Sequence, residues 1–313
     1  MLKALFWPQK RVATNALCWE KPHVLHGFRS SAGNPRALTY ESPMVFFAKG
    51  RTDMDRRRLI GLGIGVAASA AGGGAGASPA AAASPQAFDR LLSRYARPGA
   101  GAINRVDYRA WRANTADRAA LDTYVAALQA SSPKGKSRPE QVAYWCNLYN
   151  AETLRVVLDA YPVKSILSIR PTLVSFGPWK AKTLRVDGAR LSLHEVEHEI
   201  LRGLGDPMIH YGLNCASISC PNLPLRALRS ATLTADLDQA ARDYVNHPRA
   251  VQVTGKGLVL SSIYKWYRED FGDSDADILS HLAAFAPPPL RAVLDRRPAI
   301  TGYAYDWDLN ARA

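Results

Sequence analysis

The hydrophobic pattern along this chain is mostly helical. Residues 88–96 and 119–130 space their apolar side chains three and four apart, the period of a helix with one buried face. From 140 to 161 the pattern Val142, Trp145, Cys146, Tyr149, Leu154, Val157 and Leu158 predicts a largely buried helix. It has Pro139 in its first turn and ends before Pro162. Residues 184–191 read as a hairpin, with Asp187-Gly188 supplying the turn. Ser192 and Glu195 then form a capping box, and Leu193, Val196, Ile200, Leu201 and Leu204 make one apolar helix face. Glu197 falls inside that apolar arc, so its carboxylate must be paired, hydrogen-bonded or protonated. Residues 208–216 alternate as a strand, with Tyr211, Leu213 and Cys215 on one face and His210, Gly212 and Asn214 on the other. A helix at 234–245, strand character at 251–261 around Gly255-Lys256-Gly257, and a short helix at 278–285 before three prolines complete the pattern. The expected class is α+β: one mixed domain over 84–313, more helix than strand, with a small sheet.

Composition leaves that picture intact and adds a compartment. The chain has 313 residues, 47% of them apolar, and a formal charge of +13. The first 83 residues hold eleven Lys/Arg against four Asp/Glu. The remaining basic residues are scattered without a dense run, which argues against a nucleic-acid partner. From Met54, Arg56-Arg57-Arg58-Leu59-Ile60 opens a short Gly/Ala-rich apolar run. Small-residue triplets follow at 75–77 and 81–83. This is the layout of an export signal of twin-arginine type over 54–83, with 1–53 an upstream extension from a misplaced start. The apolar run is too short for a membrane span, so no membrane association is expected after cleavage. The expected location is periplasmic or extracytoplasmic. There Cys146, Cys215 and Cys220 meet an oxidising environment, and their odd number leaves at least one thiol unpaired within the chain.

Chemistry concentrates at 206–225, where His210, Cys215, Cys220 and Pro221 share an apolar context. Two thiols with four residues between them suit a disulfide, a metal pair or a nucleophile activated by a base. Strand alternation turns His210 away from Cys215 and toward Cys220 if the chain reverses after Ala216. Asn147 and Asn150 are costly in a buried helix unless satisfied, so they either pin the helix or serve a site. His194-Glu195-Val196-Glu197-His198 fits H-E-x-x-H, the zincin spacing. However, it lies in the first turns of a capped helix, and Glu195 is already the capping acid. No metal ligand or cofactor is therefore assigned. Trp266, Tyr267, Asp270 and Phe271 read as a structural aromatic cluster.

Six ordered blocks carry a family resemblance. They are Tyr144-Trp-Cys-Asn-Leu-Tyr-Asn-Ala151, Leu191-Ser-Leu-His-Glu-Val-Glu-His198, Ile209-His-Tyr-Gly-Leu-Asn-Cys215, Ser219-Cys-Pro221, Ile263-Tyr-Lys-Trp-Tyr267 with Asp270-Phe271, and Tyr305-Asp-Trp-Asp-Leu-Asn310. Together they resemble the domain of unknown function family 547, found in bacterial exported proteins and behind leucine-zipper segments in plants. The resemblance implies no reaction. It keeps a Glu-His pair at Glu197-His198, a polar or acidic residue at the His194 position and an aliphatic one at Cys146. The H-E-x-x-H match then reads as accidental, and Cys146 as a core substitution. The expected function is a thiol-dependent hydrolase or acyltransferase acting on a small-molecule or peptide substrate. Its catalytic candidates are Cys220, Cys215, His210, Asn147, Glu197 and His198; its binding candidates are Asn150, Tyr149, Trp266, Asp270 and Asn310. By analogy of the Cys-His-Asn/Asp constellation, the fold would be papain- or transglutaminase-like. The alternatives are a non-catalytic binding or scaffold domain with a Cys215–Cys220 disulfide, and a zinc hydrolase using His194 and His198.

Overall fold

The computed structural model describes residues 79–172 and 175–312. The extension 1–53 and the signal-like run up to residue 78 lie outside the described residues. Among those described, no helix is long and apolar enough to cross a membrane.

Helix Arg138–Ala160 is the axis of the fold. Ser137 and Glu140 form a reciprocal capping box and a proline occupies the first turn. Every residue from Val142 to Leu154 is buried, as befits a helix surrounded by other elements. Helices Tyr108–Ala113 and Thr115–Gln129 pack on it, and Pro85–Tyr95 packs on the latter. Phe88, Leu92, Trp111, Leu121 and Tyr124 build a first hydrophobic core with it. A short hairpin, β1 (Ala96–Pro98) with β2 (Asn104–Val106), edges this core. A second hairpin, β3 (Leu184–Val186) with β4 (Ala189–Leu191), turns on Asp187 and Gly188, both at positive φ.

A second core gathers Tyr244, Val245, Leu258, Leu260, Tyr264, Phe271, Ile278 and Leu282. Helix Leu233–Val245 packs on helix Asp275–Phe285 beside a three-stranded sheet. In the sheet, β5 (Val251–Thr254) and β6 (Gly257–Ser261) form an antiparallel hairpin, and β7 (Ile300–Ala304) joins β6 in parallel. A parallel neighbour needs a long crossover. It is supplied by helices Ile263–Trp266, Arg268–Phe271, Asp275–Phe285 and Pro288–Leu294. The class is α+β, as the pattern predicts.

The strand-like stretch 251–261 forms a hairpin around Gly255-Lys256. Two local expectations need correction. Residues 208–216 are not a strand: Ile209–Gly212 is a helical turn, followed by extended Leu213. Its residues are all buried because the turn is wedged between the cores. Ile209 and Leu213 belong to the first core and Tyr211 to the second. Alternation reports on a face exposed to water, and here there is none. The helix after Ser192 is also irregular. It runs as α over Leu193–Glu195, as π over Val196–Leu201 and as 3-10 over Arg202–Leu204.

Beyond β7 the chain becomes a strap. Ile218 and Ser219 donate to the Asp308 and Asp306 carbonyls, Asn310 N–H donates to Ala216 O, and Arg312 N–H donates to Val106 O. The strap thus ties the seam between the cores to the first hairpin.

Candidate functional site

The seam holds loop 215–220. Asn214, just before it, is a hub. Its N–H donates to Asn150 Oδ1 at 2.9 Å, and its Nδ2 donates to the Pro221 carbonyl at 2.7 Å. Its Oδ1 accepts from Ala216 N–H at 3.0 Å and from Asn310 Nδ2 at 3.3 Å. Asn150 in turn donates to Gly212 O, and Tyr108 donates to Asn310 Oδ1. Three buried amides from helix, loop and strap thereby fix the path of the loop. Ala216 takes φ +65° at the reversal, a strained conformation for a residue with a Cβ.

Cys215 and Cys220 are both free thiols, so the disulfide of the scaffold alternative is not formed. The Cys215 N–H donates to Cys220 Sγ at 3.0 Å. Cys215 is half-buried, and its sulfur forms a near-regular triangle with two hydroxyls. Ser217 Oγ and Tyr305 OH are each 3.2 Å from it and 2.9 Å from one another. Hydrogen bonding from the Cys220 thiol, then from Ser217 and Tyr305, draws the Cys215 pKa below its ordinary value although burial opposes this. Burial pushes Cys220 the other way, well above the usual thiol range, so it keeps its proton. That proton has the Leu213 carbonyl at 3.7 Å as a weak acceptor and the Cys215 sulfur as another. Burial and the neighbouring sulfurs also raise the Tyr305 phenol, which makes it a donor and not a base.

His210 is elsewhere engaged. Its Nε2 is 2.7 Å from Asp270 Oδ2, and Asp270 also takes a two-pronged pair of hydrogen bonds from Arg202 at 2.6 and 2.9 Å. Burial alone raises the Asp270 carboxyl, but the bonds from His210 and Arg202 outweigh it and hold the group at about 2. An ionised carboxylate only accepts, so His210 carries a proton on Nε2. Among the described residues, neither cysteine sulfur has an imidazole within hydrogen-bond distance. The alternation argument that turned His210 toward Cys220 falls with the strand that motivated it.

Glu197 is buried and accepts from Tyr149 OH at 2.8 Å and Tyr267 OH at 2.5 Å, which meets the demand that its burial made. The Tyr267 ring lies 4.2 Å from the His210 ring. His198 is held neutral to about 4, mainly by burial, and its ring is 4.2 Å from that of His194. Among the described residues no group of three His, Cys, Asp or Glu converges as a metal would require. Glu195 is spent on its cap and on an ion pair with Lys182. The zinc reading therefore lacks a third ligand. Asn147 uses both amide atoms on the backbone of Leu228, at 2.8 Å each. That pins the central helix to the chain at Leu228.

Trp266 is 4.8 Å from Tyr305 and 5.5 Å from Trp307, so a half-buried aromatic group stands beside the cysteine loop. Ser217 and Tyr305, the two hydroxyl partners of Cys215, escaped the reading of the sequence. Tyr305 sat in a family block, but nothing local placed it against a residue 90 positions away.

No curated protein and no solved structure matches the chain. Residues 133–245 match the family model described as Protein of unknown function, DUF547. The matched segment runs from the loop before the central helix to the end of helix Leu233–Val245. It takes in Asn147, Asn150, Glu197, His198, His210 and both loop cysteines, and the ordered motifs point to the same family.

Proposed function

We propose that this domain is a thiol-dependent hydrolase or acyltransferase with Cys215, not Cys220, as its nucleophile. The observation that supports it is the Cys215 sulfur set among three donors, with a depressed thiol pKa and partial access to solvent. A thiol whose pKa is lowered gives up its proton more readily and so supplies more of the thiolate that attacks an acyl carbon. The hydroxyls of Ser217 and Tyr305 are then placed to donate to the oxygen that gains charge. The leaving group departs with a proton from solvent as the thioester forms, and water or an acceptor nucleophile then breaks the thioester and frees the Cys215 sulfur. In this reading Asp270 and Arg202 hold His210 as part of the seam, and Asn150, Asn214 and Asn310 position the loop. Export by a twin-arginine route belongs to the same proposal and rests on residues 54–83.

The test is the pH profile of iodoacetamide alkylation in the full chain, with peptide mapping. Cys215 is expected to be labelled first, with a midpoint below that of an ordinary thiol, about 8.5. Hydrolysis of model thioesters is expected to disappear in Cys215→Ser. Labelling confined to Cys220, or a Cys215 midpoint at or above that ordinary value, would sink the assignment.

A further inference from the structure

A cavity of about 250 Å³ opens beside the cysteine loop, lined by Ser219, Arg249, Gln252, Tyr305 and Asp306 among others. It is smaller than the pocket for a drug-sized ligand, so it suits one end of a molecule or a small acid. Its distinctive wall is Arg249. The guanidinium is mostly buried and donates to the Ile218 carbonyl at 2.9 Å and to Asn222 Oδ1 at 2.8 Å. It lies 5.3 Å from the Tyr244 ring. Its Nε has no hydrogen-bond partner, and among the described residues no carboxylate stands within ion-pair distance of it. A buried cation without a counter-charge is costly unless an anion completes it. Other half-buried arginines are compensated: Arg202 by Asp270, and Arg229 by Asp89.

The neighbouring groups narrow the kind of anion. Ser219 Oγ accepts from Asp306 N–H at 2.8 Å, which leaves its hydroxyl proton to donate. Asp306 lines the same cavity, and its carboxylate accepts from Asp308 N–H. That charge repels a phosphate dianion about twice as strongly as a monocarboxylate. Tyr305 is common to both features: it lines the cavity, and its hydroxyl is 3.2 Å from Cys215 Sγ.

We infer that Arg249 and Ser219 form a subsite for the carboxylate of the ligand, and that the substrate of Cys215 is an acid held by that end. The link to Cys215 rests on the function proposed above; the carboxylate subsite itself does not.

Two measurements on the full chain keep these apart. The first is a ligand-observed NMR titration with butanoate, with butanamide as its uncharged isostere and inorganic phosphate as competitor. Butanoate is expected to bind at least tenfold more tightly than butanamide, and Arg249→Gln to remove that preference. Arg249 also braces Ile218 and Asn222, so Gln252→Glu serves as a second variant. Gln252 is exposed on β5, and its replacement adds a repelling charge to the cavity without touching a buried bond. It is expected to weaken butanoate severalfold with an unchanged melting temperature. No butanoate binding to the wild-type chain, equal binding by both variants, or displacement favouring phosphate would overturn the subsite. The second measurement compares iodoacetate with iodoacetamide at Cys215, each rate taken relative to free cysteine. A severalfold preference for the acid that vanishes in Arg249→Gln places the subsite on the path to the thiol. Butanoate binding without that preference leaves the subsite and removes its link to Cys215. An unreactive Cys215 with intact butanoate binding fails the proposed function alone.

Discussion

At the scale of single residues, the character of Cys215 comes from its donors and not from an imidazole. Each donor stabilises the thiolate over the thiol, so losing one raises the pKa. Cys220→Ala and Tyr305→Phe are both expected to move the alkylation midpoint of Cys215 upward, by about one pH unit each. His210→Gln is expected to leave it in place, because His210 serves Asp270. A midpoint that follows His210 and ignores Tyr305 would restore the Cys/His pair. The amide hub is the other residue-scale device. Asn214→Ala strands the groups paired with its side chain, the Pro221 carbonyl, the Ala216 N–H and one Asn310 amide. Leaving buried groups unsatisfied costs about 1–3 kcal/mol, and this site loses more than one. A loss of roughly 3 kcal/mol in urea unfolding is expected, against little for an exposed asparagine. The cysteines and Asn150 stood out in the sequence because polar or reactive residues in apolar runs need a reason, and Asn310 because it ends one of the ordered family blocks. Their partners did not, since pairing across 64 or 96 positions leaves no local trace.

At the scale of elements, apolar periodicity located every helix of eleven residues or more, while the shorter ones at 108–113, 263–266, 268–271 and 288–294 carry no comparable period. The capping box read at Ser192–Glu195 forms, and the structure adds a second at Ser137–Glu140. What stayed hidden was the change of helical period after Glu195. The π geometry over Val196–Leu201 is set by packing, and its consequence is to bring Glu197 between two tyrosines from different elements. Such stretches are frequent at functional sites. Glu197 joins Tyr149 of the central helix to Tyr267, which stacks near His210, so its removal unties the seam. Glu197→Gln keeps the shape but swaps one acceptor for a donor that faces a tyrosine hydroxyl. It is expected to cost about 2 kcal/mol and to speed hydrogen exchange across Ile209–Gly212, with the exchange of Pro85–Tyr95 unaffected. Uniform acceleration across both helices would mean that Glu197 carries general stability instead of local order.

At the scale of the whole molecule, two cores meet at one loop, and the groups along their seam set the response to acid. His198 and His281 both hold pKa values near 4, each chiefly through burial. In the unfolded chain they titrate near 6.5. Between pH 6.5 and 4 the unfolded state therefore binds protons that the native state refuses, and stability falls as pH falls. Each histidine contributes on the order of 2 kcal/mol to that loss, allowing for partial exposure. Asp270 acts lower. Its native value of about 2 sits below the unfolded carboxyl near 4, so its stabilisation is complete above pH 4 and drains away as pH drops toward 2. Acid unfolding should thus proceed in two windows, histidines first and the Asp270 pairing second. Urea midpoints measured from pH 7.5 to 2.5 would resolve them. His281 packs against Tyr211 and Phe271 and donates to or accepts from Tyr211 OH at 2.8 Å, a contact that glutamine can partly replace. His281→Gln is expected to flatten the slope between pH 6.5 and 4 and leave the lower window untouched. Asp270→Asn should do the reverse, lowering stability at neutral pH and flattening the profile below pH 4. A wild-type profile without slope between pH 6.5 and 4 would mean that the seam admits protonated histidine. The two cores would then be less tightly closed around the loop than their packing indicates.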